Sequence, residues 1–388
     1  MSRRGLRYNK LMSVEALPAP VLITRPAALK NLSSLLLQEP VVAVDTESNS
    51  LHAYREQVCL LQFSTPHADY LIDPLALKDL STLGELFSNP GIQKVFHAAD
   101  YDLLCLKRDF GFEFANLFDT MIAARTLGRP AVGLGAILAE EFGIQLDKRH
   151  QRANWGQRPL PTYLLDYARL DTHYLISLRD RLWSELQHQG VAALAQEDFT
   201  RVCRVNGSLV EERDVDCWRV RGASDLTPQQ AAVLYELCHY RDQAARMMNR
   251  PWFKVLNDQT LIEIVQILPR DLAALGQISG MSQGQVRRHG HGLLDAVRRG
   301  LYAGPRYPPR NPRPDEDYLK RLEALRAWRK QTAQELGVTS DVILPRDILC
   351  ELAEKNPRRS EELDTILQAV PWRREHFGDQ ILAVLLNH

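Results

Sequence analysis

An α/β domain followed by two small helical bundles is the fold class this sequence predicts, and three observations carry the prediction. The run Val41-Val42-Ala43-Val44 leads straight into Asp45-Thr46-Glu47. A continuous apolar, β-branched run of that kind is a strand buried on both faces, which needs helices to cover it. Short runs of that type then alternate with helical stretches through the first half of the chain, the signature of a layered α/β domain. Finally, residues 234–298 overlay residues 322–386 without a gap at an offset of 88, with matched apolar positions at helical spacing.

The bulk numbers agree with such an arrangement. At about 150 residues per domain, a chain of 388 residues holds two or three. Hydrophobic content of 45% and charged content of 25% are those of an ordinary globular protein. A net charge of +0 means that any nucleic-acid surface must come from local clustering. The six cysteines (59, 105, 203, 217, 238 and 350) are scattered, without a C-x-x-C or a zinc-like grouping, and read as packed thiols of a reducing compartment. Arg3, Arg4, Arg7 and Lys10 are followed by no apolar segment, and no apolar run is long enough to span a bilayer. The expectation is a cytoplasmic protein without a membrane partner.

In order along the chain, Val21-Leu22-Ile23-Thr24 is a short strand, and Arg25-Pro26 opens an amphipathic helix through residue 37. Pro40 punctuates before the Asp45 strand. Residues 58–63 and 68–72 make two further strands around a Thr65-Pro66-His67 turn, so an antiparallel meander is expected. Asp73-Pro74 reads as N-cap and first residue of a helix over 75–87. Lys94-Val95-Phe96 is a strand leading through His97-Ala98-Ala99 into a helix over 100–108. Asp100 and Asp102 point about 200° apart on that helix, so only one can face a given site. Asp119 caps a helix over 121–127, and another covers 133–142. Residues 151–160 are irregular and hold Trp155 and Arg158-Pro159-Leu160. One long helix is expected over 161–186.

Two places in this half carry chemistry. Side chains alternate on a strand, so Asp45 and Glu47 share a face where the buried strand reaches solvent. Paired carboxylates at the end of a core strand repel one another, and divalent cations with oxygen ligands compensate them. Tyr167 and Asp171, at i and i+4, share a helix face.

Together, Asp45-x-Glu47 on a strand, Asp102 on a helix after a strand, and Tyr167-x-x-x-Asp171 on a late helix resemble the DEDD exonucleases. The tyrosine four residues before the last aspartate is similar to the DEDDy branch; Asp166 stands where the DEDDh branch has its histidine. His97-Ala98-Ala99-Asp100-Tyr101-Asp102-Leu103, Phe118-Asp119-Thr120, Trp155 with Arg158-Pro159-Leu160, and Tyr167-Ala168-Arg169-Leu170-Asp171-Thr172-His173-Tyr174-Leu175 resemble ribonuclease D. The resemblance covers roughly residues 21–186. It implies an RNase H-like fold and metal-dependent 3′→5′ hydrolysis with two divalent ions, Mg²⁺ or Mn²⁺. It also implies that Asp45, Glu47, Asp102 and Asp171 are the metal ligands and that Tyr167 orients the attacking water. His173 reads as a packing or supporting residue. The implied partner is RNA with a single-stranded 3′ end, precursor tRNA being the substrate class; the sequence does not fix the oligomeric state, and a monomer is the expectation. A DEDDy exonuclease acting on DNA and a non-catalytic RNA-binding protein are the competing readings.

In the repeated half, Arg241 pairs with Arg329, Leu256 with Leu344, Glu263 with Glu351 and Gly290 with Gly378. The first copy resembles the helicase-and-RNase-D C-terminal (HRDC) domain through Pro251-Trp252-Phe253-Lys254-Val255-Leu256-Asn257-Asp258 and the later Ile278-Ser279-Gly280-Met281-Ser282. The second copy departs at the Phe-Lys segment. Residues 281–313 hold seven arginines against one acid, Asp295, and 304–314 hold five prolines. Arg287, Arg288, Arg298 and Arg299 are the nucleic-acid-binding candidates, able to grip phosphates without reading sequence. The expected division is an exonuclease domain over 1–205, a connecting segment over 206–225, HRDC domains over 226–303 and 315–388, and a Pro/Arg-rich linker over 304–314. The chain has no G-x-x-x-x-G-K-[ST], so a helicase is not supported.

Overall fold

In the computed structural model, residues 17–204, 215–309 and 315–388 are described; Arg310 and Arg313 of the basic stretch lie outside them. The chain divides into two compact units. One comprises residues 1–47, 58–207 and 314–388, and the other residues 48–57 and 208–313.

The first unit is built on a six-stranded sheet. Its elements are β1 (Val21–Ile23), α1 (Pro26–Leu36), β2 (Val41–Ser48), β3 (Val58–Ser64), β4 (Asp69–Ile72), α2 (Pro74–Leu77), α3 (Gly84–Ser88), β5 (Gln93–Phe96), α4 (Asp100–Phe110), β6 (Leu117–Asp119), α5 (Thr120–Thr126) and α6 (Leu134–Phe142). There follow α7 (Thr162–Ala168), α8 (Leu170–His173), α9 (Leu175–His188) and α10 (Ala192–Val202). The strand order is β1-β4-β3-β2-β5-β6. β3 and β4 are antiparallel, while the pairs β1–β4, β2–β5 and β5–β6 are parallel.

The central strand is buried on both faces, as its composition requires. Val42 and Val44 pack with Leu103 and Leu106 of α4 and with Leu29, Leu32 and Leu36 of α1. Ala43 packs the other way, with Leu175, Leu178 and Leu182 of α9 and Phe199 of α10. The result is three layers, helix on sheet on helix.

Two predicted helices are interrupted. The helix expected over 75–87 ends after one turn because Lys78 turns at φ 61° and Asp79 accepts from the Ser81 amide at 2.8 Å, starting a 3-10 turn before α3. The helix expected over 161–186 is three pieces, α7, α8 and α9, broken at Arg169 and Tyr174. Both breaks keep right-handed helical dihedrals, at φ −59° and −96°. The i, i+4 relation of Tyr167 and Asp171 therefore survives. Asp73 and Asp119 cap α2 and α5 as read from the sequence.

The second unit contains α11 (Pro228–Met248), α12 (Trp252–Val255), α13 (Asp258–Ile267), α14 (Leu272–Leu275) and α15 (Gln283–Tyr302). A Thr227–Gln230 capping box opens α11. Gly300 of α15 packs so closely that an added Cβ would lie 2.4 Å from the Val233 Cα. Residues 48–57, which follow β2, belong to this unit: the Tyr54 hydroxyl donates to Asp242 at 2.6 Å.

The repeat reappears at the end of the chain as α16 (Glu316–Leu336), α17 (Ser340–Ile343), α18 (Arg346–Lys355), α19 (Ser360–Leu367) and α20 (Pro371–Leu386). The bounds of α16, α17 and α18 are those of α11, α12 and α13 shifted by 88. The matched arginines do one job: Arg241 donates to the Leu256 carbonyl at 3.1 Å, and Arg329 to the Leu344 carbonyl at 2.9 Å.

Although the sequence sets residues 315–388 apart, in the structure they share a unit with the sheet. Arg373 is fully buried and donates to Glu197 and, at 2.8 Å, to Asp198, both on α10. Glu197 also accepts from the Trp372 amide at 2.7 Å. At Gly128, with φ 71°, an added Cβ would fall 2.4 Å from the Gly337 carbonyl oxygen. No described helix is long and apolar enough to cross a membrane.

Candidate active site

Because Val42 and Val44 face α4 while Ala43 faces α9, alternation continues past the core into the polar end of β2. Asp45 and Glu47 emerge toward the layer of α7 to α9, and Thr46 toward α4. One ligand oxygen from each of Asp45, Glu47 and Asp171 lies within 4.8 Å of the others. Asp102 comes from the opposite layer and is not part of that group of three. Its carboxylate accepts a short hydrogen bond from the Thr46 hydroxyl, which holds it at the strand end beside the other acids. Its neighbour Asp100 is exposed, so the helix register is the one expected.

Two networks fix the acids in place. Asp119 is buried and accepts from four backbone amides: Ala98 at 3.1 Å, Ala99 at 2.7 Å, Met121 at 2.8 Å and Ile122 at 3.1 Å. It thus pins the turn that starts α4, where Ala98 adopts φ 64°, a conformation that costs energy for a residue with a Cβ. The second network joins α8 to the sheet. Thr172 shares a 2.7 Å hydrogen bond with Ser64, Ser64 donates to Asp69 at 2.7 Å, and His173 Nδ1 lies 2.9 Å from Asp69. His173 therefore supports the helix that carries Asp171 and is not one of the clustered ligands. Sequence reasoning missed Thr46, Ser64 and Asp69, since hydroxyls and a strand-end acid carry no motif of their own.

Arg158 also acts from outside the acids. It binds Asp73 through two 2.7 Å bonds and donates to the Cys59, Trp155 and Gln157 carbonyls. This clamp orders the irregular segment and buries Trp155, whose ring lies 6.1 Å from that of Tyr167.

The electrostatics follow from burial without compensation. Among the described residues, no Lys or Arg forms an ion pair with Asp45, Glu47, Asp102 or Asp171. Burial, then the charges of Asp102, Asp171 and Glu47, hold Asp45 well above the usual carboxylate range. Burial and then Asp171 and Asp102 do the same to Glu47. Burial pushes Asp171 up to about 7, and it pushes Asp102 to about 7 against the pull of the Thr46 hydroxyl. Burial and then the Asp171 charge push the Tyr167 phenol upward from its ordinary value. Four hard oxygen donors, uncompensated and disfavoured as anions, are the donor set a divalent cation takes.

Of the four arginines proposed for nucleic-acid contact, the structure separates two from two. Arg287 and Arg288 are exposed and form no ion pair with a described residue. Arg298 pairs with Asp295, and Arg299 with Glu236 at 2.8 Å.

A layered α/β sheet, a carboxylate cluster at the end of its central strand and a tyrosine one turn before the last acid define a metal-dependent nuclease. The comparisons agree. The 3′-5′ exonuclease family model matches residues 20–187, and the HRDC domain model matches 230–297 and 319–385. Ribonuclease D of Pseudomonas paraeruginosa is 31% identical over 355 residues, 89% of this chain and 92% of the relative. The crystal structure of Escherichia coli RNase D, described as an exoribonuclease involved in structured RNA processing, has a TM-score of 0.68 at 26% identity. It covers 96% of this chain and 100% of that one. The catalytic core of RRP6 from Trypanosoma brucei has a TM-score of 0.67 at 28% identity, covering 75% and 82%. This chain belongs to the ribonuclease D family.

Proposed function

We propose that the chain is a metal-dependent 3′→5′ exoribonuclease of the cytoplasm that trims structured RNA with a short single-stranded 3′ tail, precursor tRNA being the substrate class. Its products are 5′-nucleoside monophosphates, and Asp45, Glu47, Asp102, Tyr167 and Asp171 are its catalytic residues. The observation that carries the reading is the meeting of Asp45, Glu47 and Asp171 within 4.8 Å, with Asp102 tethered beside them.

Asp45, Glu47, Asp102 and Asp171 would hold Mg²⁺ or Mn²⁺, which when bound supplies Lewis-acid polarisation of the phosphate and lowers the pKa of bound water. The protein's own contribution is placement. Thr46 and Asp119 fix Asp102, and the Thr172–Ser64–Asp69–His173 chain fixes Asp171. Tyr167 stays protonated at neutral pH because burial and Asp171 push its phenol up. It therefore acts as a hydrogen-bonding group that orients water, not as a base. Arg287 and Arg288, exposed and unpaired among the described residues, grip RNA phosphates.

The test is a 3′-tailed RNA hairpin labelled at its 5′ end, with Mg²⁺, Mn²⁺ or EDTA, beside the same sequence in DNA. A ladder receding from the 3′ end of RNA, abolished by EDTA, is the expected result. Preference for DNA would transfer the reading to a DNA exonuclease, and no shortening of either would leave an RNA-binding protein.

A further inference from the structure

Next to Tyr167 and Asp171 lies a recess of about 170 Å³ to which none of these roles gives an occupant. Leu146 and Leu170 form apolar walls, the rings of His150, Tyr163 and Tyr167 line one stretch, and the carboxylates of Asp147, Asp166 and Asp171 complete the lining. Tyr163 stands one helical turn before Tyr167 on α7, so the two rings share a face. His150 sits between them, its ring centroid 4.9 Å from Tyr163 and 5.6 Å from Tyr167. The three rings form a continuous aromatic track that leads from the clustered acids to solvent.

The outer end of the track is open. Tyr163 is 55% exposed, while Trp155, the other aromatic beside Tyr167, is buried under the Arg158 clamp. A solitary exposed tyrosine is an ordinary surface residue. This one is held at contact distance from the His150 ring, in a recess that it shares with two leucines and with Asp171 of the acid cluster. An occupant matched to the rings is flat, with a π face, and brings no negative charge against the three acids. The base of a nucleic acid has that form, and stacking on a ring is tolerant of which base is present. A phosphate does not match, because Asp147, Asp166 and Asp171 give the lining negative charge.

We propose that His150 and Tyr163 form a stacking subsite for the base of a nucleotide flanking the scissile phosphodiester. The subsite rests on the exoribonuclease reading and adds a reason why the tail must be single-stranded: a paired base cannot lie on the track. It holds the substrate by its base without selecting sequence, as an exonuclease that advances one nucleotide at a time requires.

The test uses full-length protein and RNA oligonucleotides identical except for one abasic nucleotide, placed at the last, second-last or third-last position. Single-turnover rates across enzyme concentration give apparent affinity and maximal rate for wild type, Tyr163→Ala, Tyr163→Phe and His150→Ala. On intact RNA, Tyr163→Ala is expected to weaken apparent affinity about tenfold, the size of one lost stacking contact. Tyr163→Phe keeps the ring and is expected to stay near wild type. At one of the three positions, the loss from the abasic nucleotide and the loss from Tyr163→Ala overlap instead of multiplying. Equal affinity of Tyr163→Ala and wild type on intact RNA overturns the subsite, as do losses that multiply at all three positions. Wild type that shortens no RNA with either Mg²⁺ or Mn²⁺ overturns the exoribonuclease reading instead, so the two failures are distinct.

Discussion

Replacing Asp171 with asparagine removes one charge from the cluster and keeps the shape of the side chain. Its effect on stability depends on pH in a way the structure specifies. Asp171 has its folded-state pKa raised to about 7 by burial, against an unfolded value of about 3.9. Between those values the native state holds a proton that the unfolded state has lost, so stability falls as pH rises through the window. The slope for one such group is about 1.4 kcal/mol per pH unit, or about 3 kcal/mol from about pH 5 to about pH 7. An asparagine imitates the protonated acid at every pH and does not carry this slope. Asp171→Asn is therefore expected to gain on wild type by up to about 3 kcal/mol across that range when no divalent cation is present. Asp102 and Asp171 titrate beside other acids, so part of the gain is shared with the rest of the cluster.

The comparison has to be a difference, because other groups oppose it. His97 is buried beside Arg125 and lowered to about 4, so it contributes the reverse slope, with stability rising as pH rises toward its unfolded value. That contribution is common to both proteins and cancels. Urea unfolding of wild type and Asp171→Asn in EDTA, at half-unit pH steps, supplies the measurement. Saturating Mg²⁺ should then invert the order at neutral pH, because cation binding to the native state adds RT ln(1 + [L]/Kd) to wild type and less to the variant. A stability difference independent of pH in EDTA would refute the claim that these acids are uncompensated in the folded protein.

Four further outcomes follow from the same geometry. Tyr167→Phe should cut kcat at least about tenfold with little change in RNA affinity or metal dependence, measured by single-turnover kinetics; wild-type kcat would reduce Tyr167 to packing. Asp102→Asn should abolish hydrolysis while Asp100→Asn largely preserves it, since Asp102 is 8% exposed beside the acids and Asp100 faces solvent; comparable losses in folded protein would mean a different register in action. Arg287→Ala with Arg288→Ala should weaken tRNA binding and flatten its salt dependence by less than about one unit of log K per log salt for each charge removed, whereas Arg298→Ala, its partner Asp295 left in place, should change the slope less. Arg373→Ala should destabilise the first unit by about 3–5 kcal/mol in urea, because it strands Glu197 as a buried charge; a loss under about 1 kcal/mol would show that the pair is not desolvated in solution.

How much of this was legible in the sequence depends on whether a feature is local. The two-faced burial of β2 could be read from four consecutive residues, and it fixed the face shared by Asp45 and Glu47. The i, i+4 relation of Tyr167 and Asp171 was also local, and it survived the breaks at Arg169 and Tyr174 because the backbone stays helical through both. The break after α2 had a readable signal, Asp79 two residues before Ser81, which the expectation of a continuous helix passed over. Three features could not be read. Asp102 enters from the opposite layer, held by Thr46 at a separation of 56 residues. Ser64 meets Thr172 across 108 residues. The ion pairs that neutralise Arg298 and Arg299 distinguish them from Arg287 and Arg288, and charge counting treats all four alike.

The departure of the second repeat at the Phe-Lys segment has a physical explanation. In the first copy Phe253 is 55% exposed, and Gln285 donates to the Val255 carbonyl at 2.9 Å. Shifted by 88, Phe253 and Lys254 become Asp341 and Val342, Val255 becomes Ile343 and Gln285 becomes Arg373. Arg373 keeps the inherited bond, donating to the Ile343 carbonyl at 3.2 Å, and its longer side chain reaches on to Glu197 and Asp198. Asp341 pairs with Arg125 at 3.3 Å, and Val342 is buried. At the positions of Arg287 and Arg288 the second copy has Glu375 and His376. One helical frame has thus been given two surfaces: a basic, exposed one in the first copy, and one in the second that docks on the sheet-bearing domain. The second copy consequently shares a compact unit with the sheet and does not form a unit of its own. Deleting residues 225–388 to test RNA binding would also strip the cover from Glu197, so point changes at Arg287 and Arg288 separate binding from folding where the deletion cannot.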